Sequence, residues 1–319
     1  MVVFHHKDLD GFSSAAVVAL FRNLHLANHP DARPKEANQN IIFHGLQYGD
    51  PVPVTLPAKT DMVYIVDFHL EPTDMQKLID RVGADNIVWI DHHKTSLTVD
   101  YGVKLQGLRV DGKAGCRLTW EWFFGEKPLP RALELIEDYD IWRHQYPESR
   151  AFLLGMQTMP HEPHQDIWMD LLDESRKDLP GQSSVNEIVA RGQVAQAFRA
   201  VIAEQLCQNY GFETVLDGQP IFVSSAGLQG SDTFGNRLLA YDIVAVQIFA
   251  GDRWVVSLYS APECKQDLGA LCTRMGNTEV KGGGHFHAAG FVWYGAMPPF
   301  RKGVPLRSEM PVELKATAM

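Results

Sequence analysis

Four short apolar runs, all before His92, constrain the fold of this chain more than any other feature. They are VVFH (2–5), IIFHG (41–45), MVYIVDF (62–68) and NIVWID (86–91). Each is short and rich in β-branched or aromatic residues, which predicts a buried strand. Between them, residues 13–27 (SSAAVVALFRNLHLA) and 73–84 (TDMQKLIDRVGA) place apolar side chains at helical spacing. Strand and helix in alternation predict an α/β domain with a mostly parallel sheet and helices on both faces.

The ends of these strands are chemically unusual. The first runs into HHKDLDG (5–11), the third ends at Asp67, and the fourth delivers Asp91, His92 and His93. A helix expected over 130–144 carries Asp138 and Asp140 in LIEDYDIW. Taken singly, Asp8, Asp10 or Asp67 is explained by capping the next helix, and Asp138 and Asp140 by an exposed acidic face. Taken together they are not. Strand ends of an open α/β sheet converge on the edge where ligands bind, and carboxylates packed there repel unless cations neutralise them. Carboxylate and imidazole donors without thiolate suit Mn²⁺ or Mg²⁺, with Zn²⁺ or Fe²⁺ also admissible.

The rest of the chain divides into further segments. A helix is expected over 115–125, and 146–183 is rich in Pro, His and Asp, with short helical pieces only. His161, His164 and Asp166 in that stretch read as a solvated loop. The long helical pattern from Ser184 links two domains. The expected organisation is a first domain over 1–183, a connecting helix over 184–211, a smaller α/β domain over 212–297 and a surface tail over 298–319. In the second domain, AVQIFA and RWVVSLYS flank Gly251-Asp252, a tight-hairpin signature. A helix (QDLGALCTRMG), the string KGGGHFHAAG (281–290) and a last strand, FVWY, complete it. Gly282, Gly283 and Gly284 would bare backbone N–H groups to a phosphate, with a helix starting at or after His285. Lys281, His285 and His287 would add charge and donors.

Composition narrows the function. A net charge of −10, from 29 basic and 39 acidic residues, disfavours coating long duplex nucleic acid, where Lys and Arg supply the affinity. Cys116, Cys207, Cys264 and Cys272 are scattered, without metal-binding spacing, which predicts free thiols and a cytoplasmic protein. No apolar run reaches the length of a membrane span.

In order and spacing, HHKDLDG, Asp67, DHH at 91–93, EDYDIW and GGGHFHAAG resemble the DHH phosphoesterase family, in its branch with a DHHA1 second domain. The resemblance covers roughly residues 2–295 and is nearest to nanoRNase-like and pAp-phosphatase-like members. It implies metal-dependent hydrolysis of short oligonucleotides, dinucleotides or pAp by two divalent cations, most readily Mn²⁺. His6, Asp8 and Asp67 would hold one cation; Asp10, Asp67, His92 and Asp140 would hold the other, with Asp67 bridging. Asp91 would orient His92, and His93 would meet the substrate phosphate. Gly283, Gly284, His285 and His287 would grip the substrate from the second domain. Such domains often carry an Arg where Tyr259 stands, and Arg253 or Arg274 would replace it. A cyclic-dinucleotide phosphodiesterase, a single-strand exonuclease or a non-catalytic nucleotide sensor are the alternatives, and a homo-oligomer stays open.

Overall fold

The computed structural model describes residues 1–28, 41–173, 176, 184–227, 230–275, 282–284 and 286–308. They form two compact units, Met1–Ala195 and Gln196–Met319. The division falls inside a single long helix rather than at either of its ends.

The first unit contains β1 (Val2–His6), α1 (Leu9–Asn28), β2 (Ile42–Leu46), β3 (Val63–Val66), α2 (Pro72–Val82) and β4 (Ile87–Ile90). Then come α3 (Gly115–Phe124), α4 (Arg131–Asp140), α5 (Ser149–Gln157), α6 (Ile167–Leu172) and the start of α7 (Val185–Tyr210). All four strands are parallel, in the order β2-β1-β3-β4. The expected helices lie on both faces because alternate strand residues point to opposite sides. Val2, Phe4, Ile65 and Trp89 pack with Met75 and Leu78 of α2. Val3, Tyr64, Val66 and Ile90 pack with Ala15 and Val18 of α1 and Leu118 of α3. A third cluster, including Trp120, Phe152 and Trp168, joins the helices α1 and α3 to α7. Here α7 lies so close to α5 that a Cβ at Gly192 would meet the Ala151 carbonyl oxygen at 1.6 Å.

In the second unit, β5 (Gly211–Leu216), β6 (Gln219–Ser224), α8 (Arg237–Ala240), β7 (Ile243–Phe249), β8 (Trp254–Ser260), α9 (Leu268–Met275), β9 (Gly283–Gly284) and β10 (Ala288–Trp293) succeed one another. The sheet order is β5-β6-β7-β8-β10-β9; β6 and β7 pair in parallel and the other described neighbours antiparallel. The Gly251-Asp252 hairpin forms as expected between β7 and β8, closed by Ala250 N–H donating to the Arg253 carbonyl at 2.7 Å. The β5–β6 hairpin is not expected from the sequence pattern above. Its signal is Asp217-Gly218, both with positive φ (50° and 84°), the conformation a two-residue turn requires.

The surface tail expected from residue 298 onward is corrected over 298–308. Phe300 is fully buried in the second core. Its N–H donates to Gln247 Oε1 at 3.1 Å, while Gln247 Nε2 donates to its carbonyl at 2.9 Å. Leu306 pairs beside β5, and Ser308 N–H donates to Asp217 Oδ1 at 2.7 Å. An apolar side chain that fills the core outweighs the polar composition around it. Phe300→Ala should therefore cost about 3–5 kcal/mol of stability, measured by urea unfolding. A cost of a few tenths would show that the segment is not docked.

Candidate metal centre

The parallel register places His5, Val66 and Ile90 in one row. The next residues on each strand therefore emerge side by side at the carboxyl edge. This edge lies where α1 and α2, leaving β1 and β3, turn to opposite faces, the usual ligand crevice of such sheets. Gly11 allows the turn from β1 into α1: a Cβ there would meet the His6 carbonyl oxygen at 2.2 Å.

Three overlapping groups of side chains gather there. His6, Asp8 and Asp67 bring one donor atom each to within 4.8 Å of one another, so do Asp10, His92 and Asp140, and Asp67, His92 and His93 form the third. His6 Nδ1 is 2.5 Å from Asp8 Oδ2 and 3.9 Å from Asp67 Oδ2. His92 Nε2 is 3.2 Å from Asp67 Oδ1, 3.5 Å from Asp140 Oδ2 and 3.7 Å from Asp10 Oδ2. Asp67 thus stands between the first two groups, one oxygen toward each. All six expected ligands are together. His5 is not among them; its buried ring turns to the His6 carbonyl and Phe12, and burial drops its pKa to about 4.

Asp67 is 1% exposed, and neither of its oxygens accepts a hydrogen bond. A buried carboxylate without donors is expensive unless it meets a cation. Asp140 Oδ2 is likewise buried without a hydrogen bond. Burial, and then the neighbouring Asp10 and Asp8, push both carboxyls well above the usual range. The Asp67 backbone has φ 53°, in the left-handed region. The donor set fits hard divalent cations such as Mn²⁺ or Mg²⁺.

This charge pattern sets a pH dependence. A carboxyl whose pKa rises on folding favours the fold while protonated, and that advantage is lost as pH climbs through the folded value. Without metal, the wild type should lose melting temperature relative to Asp67→Asn as pH climbs from about 4. Scanning both proteins with a chelator checks this; parallel profiles would refute it.

Asp10 has a partner the sequence did not announce. Its oxygens accept the N–H groups of Gly115 and Cys116, each at 2.7 Å. It therefore anchors the amino end of α3, where a negative charge is favoured, as well as facing His92. Gly115 has no local signal in the sequence either: a Cβ there would meet Asp67 Cβ at 2.7 Å. Asp138 is structural. It accepts from Ser149 Oγ at 2.6 Å and Gln145 N–H at 2.8 Å, holding the turn after α4 that presents Asp140.

The orienting role expected of Asp91 is corrected. Its Oδ1 accepts the His92 backbone N–H at 2.8 Å and, on the ring side, faces His93 Nδ1 at 2.7 Å. Asp91 thus orients the His93 ring, because the turn after β4 folds that ring back over the carboxylate. Burial alone would raise the Asp91 carboxyl, yet contacts with His69 and His93 outweigh it and hold it far below the usual range. Gln47, Tyr48 and His69 also border the centre, and the sequence pattern did not single them out. Gln47 Oε1 is 3.0 Å from His6 Nε2, and Tyr48 Oη is 2.9 Å from His69 Nδ1. The second position after Asp67 hinted at His69; nothing local marked Tyr48.

In the second unit, Lys281 and His285 lie outside the described residues. The described residues to either side hold strand rather than helix: Gly283 and Gly284 form β9, paired antiparallel with β10. Gly282 lets the backbone leading into this strand press on α9, for a Cβ there would meet the Cys272 carbonyl oxygen at 2.0 Å. His287 Nδ1 is 2.8 Å from Ser260 Oγ. Tyr259 is half-buried and pairs with Ala288. Arg253 cannot stand in for an Arg at that position. It pairs with Asp252 at the hairpin tip, six residues or about 20 Å along β8. Arg274 lies in the last turn of α9.

Comparison with solved structures decides the fold. The pGpG-specific phosphodiesterase PggH of Vibrio cholerae superposes with a TM-score of 0.54 at 13% identity, over 91% of this chain and 92% of that one. The DHH domain of a member of the s1p family of ribosomal proteins gives 0.55 at 16% identity, over 91% and 82%. This chain has the DHH phosphoesterase fold. A protein of Acanthamoeba polyphaga mimivirus described as "Uncharacterized protein R106" is 24% identical over 322 residues, 95% of this chain and 70% of that protein. No family model matches the chain. Among the described residues, no helix is long and apolar enough to cross a membrane.

Proposed function

We propose that this protein is a metal-dependent phosphoesterase that hydrolyses short nucleotides: linear dinucleotides, short oligoribonucleotides or pAp. The observation that carries the proposal is Asp67, buried between two ligand groups with both oxygens lacking a hydrogen bond. Divalent cations held there, most readily Mn²⁺, would acidify water and neutralise charge on a phosphoryl group. His93, its Nδ1 engaged by Asp91, would present Nε2 to a phosphoryl oxygen. Gly282, Gly283, Gly284 and His287, with Lys281 and His285, would bind the substrate's other end.

Two facts favour a short substrate. The net charge of −10 opposes a long electrostatic track for a polyanion. The fold matches a pGpG-specific phosphodiesterase along 92% of that protein. The four cysteines, free and buried, are consistent with action in a reducing cytoplasm.

The test is metal analysis of the purified protein, then hydrolysis with Mn²⁺ or chelator of pGpG, pApA, pAp, cyclic dinucleotides, long RNA, long DNA and pyrophosphate. Mn²⁺-dependent cleavage fastest on linear dinucleotides or pAp is expected. Preference for long strands or cyclic dinucleotides would overturn the substrate assignment. Metal binding without any hydrolysis would identify a nucleotide sensor instead.

A further inference from the structure

The surroundings of Asp91 give the centre one more working residue. Asp91 is fully buried, and its Oδ1 is crowded with the His92 N–H, the His93 N–H at 3.3 Å and the His93 ring. Its Oδ2 is also buried and accepts no hydrogen bond. The nitrogen facing it is His69 Nδ1, at 3.6 Å. The same nitrogen lies 2.9 Å from Tyr48 Oη. A bare Nδ1 could accept from the Tyr48 hydroxyl but would face the carboxylate with lone pair against lone pair, whereas an Nδ1 that carries a proton gives Oδ2 a donor on its open side.

The His69 ring is confined as well. Tyr48 packs on it at 5.0 Å between centroids, stacks on Phe68 at 4.6 Å, and meets the edge of His93 at 5.7 Å. His69, Asp91 and His93 therefore form a line in which the carboxylate is held between two rings. If His69 donates to Oδ2, the Asp91 plane is fixed, and Oδ1 stays aimed at His93 Nδ1. That keeps a proton on His93 Nδ1 and fixes which ring nitrogen faces outward, as in histidine–carboxylate pairs generally.

We propose that His69, braced by Tyr48, is a positioning residue that acts through Asp91 to set the tautomer and orientation of His93. The inference rests on the phosphoesterase reading for its effect on rate, but not for its effect on the ring. The two are tested separately.

In metal-free protein, ¹⁵N spectra of the imidazoles should show a protonated His93 Nδ1. That signature should be lost in His69→Ala and restored in His69→Asn, whose amide can place an N–H near the Nδ1 position. With Mn²⁺ and the best substrate, His69→Ala should lower kcat about 10–100-fold, the range for losing a ligand's supporting partner. KM and Mn²⁺ affinity should change less than about twofold, and His69→Asn should recover most of the rate. An unchanged His93 signature in His69→Ala would overturn the proposal, as would equal losses in the alanine and asparagine variants. A wild type that shows the signature but hydrolyses nothing would instead defeat the phosphoesterase reading and leave the positioning role standing.

Discussion

Asp67→Ala should abolish metal-dependent hydrolysis while the protein stays folded. The loss should exceed the roughly 10–100-fold typical of removing a group that only supports a ligand, because Asp67 faces both donor groups at once. Folding should survive because the carboxylate contributes no hydrogen bond to the structure and sits among Asp8, Asp10, Asp140 and Asp91, which repel it. Removing such a charge relieves the metal-free fold. The measurement is kcat/KM with Mn²⁺ alongside circular dichroism and a Mn²⁺ titration. A folded variant with wild-type turnover would sink the metal-centre assignment.

Gly115→Ala should be nearly as damaging, through a single methyl group. The added carbon would come within 2.7 Å of Asp67 Cβ, 3.1 Å of Asp67 Cα and 3.0 Å of Asp10 Oδ2. Two of these are backbone-anchored atoms on a buried strand end, so the clash is not relieved by rotating a side chain. Either α3 retreats and Asp10 loses the N–H groups of Gly115 and Cys116, or Asp67 moves off the line between His6 and His92. Both outcomes separate ligands that must act together. Mn²⁺ affinity, read by calorimetry, should fall by at least about 10-fold with the secondary structure intact. Full affinity would show that the α3 start does not hold the two aspartates in place.

Much of this centre was legible in the sequence because its ligands are local to strand ends. VVFH, MVYIVDF and NIVWID announce buried strands by composition alone, and each is followed at once by His6 and Asp8, by Asp67, or by Asp91 and His92. A parallel sheet has to bring those ends to one edge. The aspartates crowded there needed no coordinates to suggest cations. Asp140 was a weaker reading, since a second acid two positions away, Asp138, has the same surface signature. The structure separates them: Asp138 is spent on Ser149 and the turn amides, and Asp140 faces His92.

Other readings were incomplete or failed where the deciding contact is remote or the competing pattern is ambiguous. The triple glycine suggested an open anion loop, and the structure adds a packing reason for one of its members, because the backbone at Gly282 presses against α9. The mixed composition after residue 298 suggested surface, yet one phenylalanine clasped by Gln247 outweighs it.

By itself the sequence determined the parallel α/β core, the six ligand candidates and the kind of ion they suit. Strand periodicity and donor chemistry are written in residues close together along the chain. Only the tertiary structure decided which neighbours those ligands meet. Asp10 anchors α3 across 105 residues, Asp91 turns to His93 rather than to the His92 ring, and Tyr48 and His69 stand beside it. Hydrogen bonds between distant segments leave no periodicity in the chain, so they become visible only when the sheet edge is assembled.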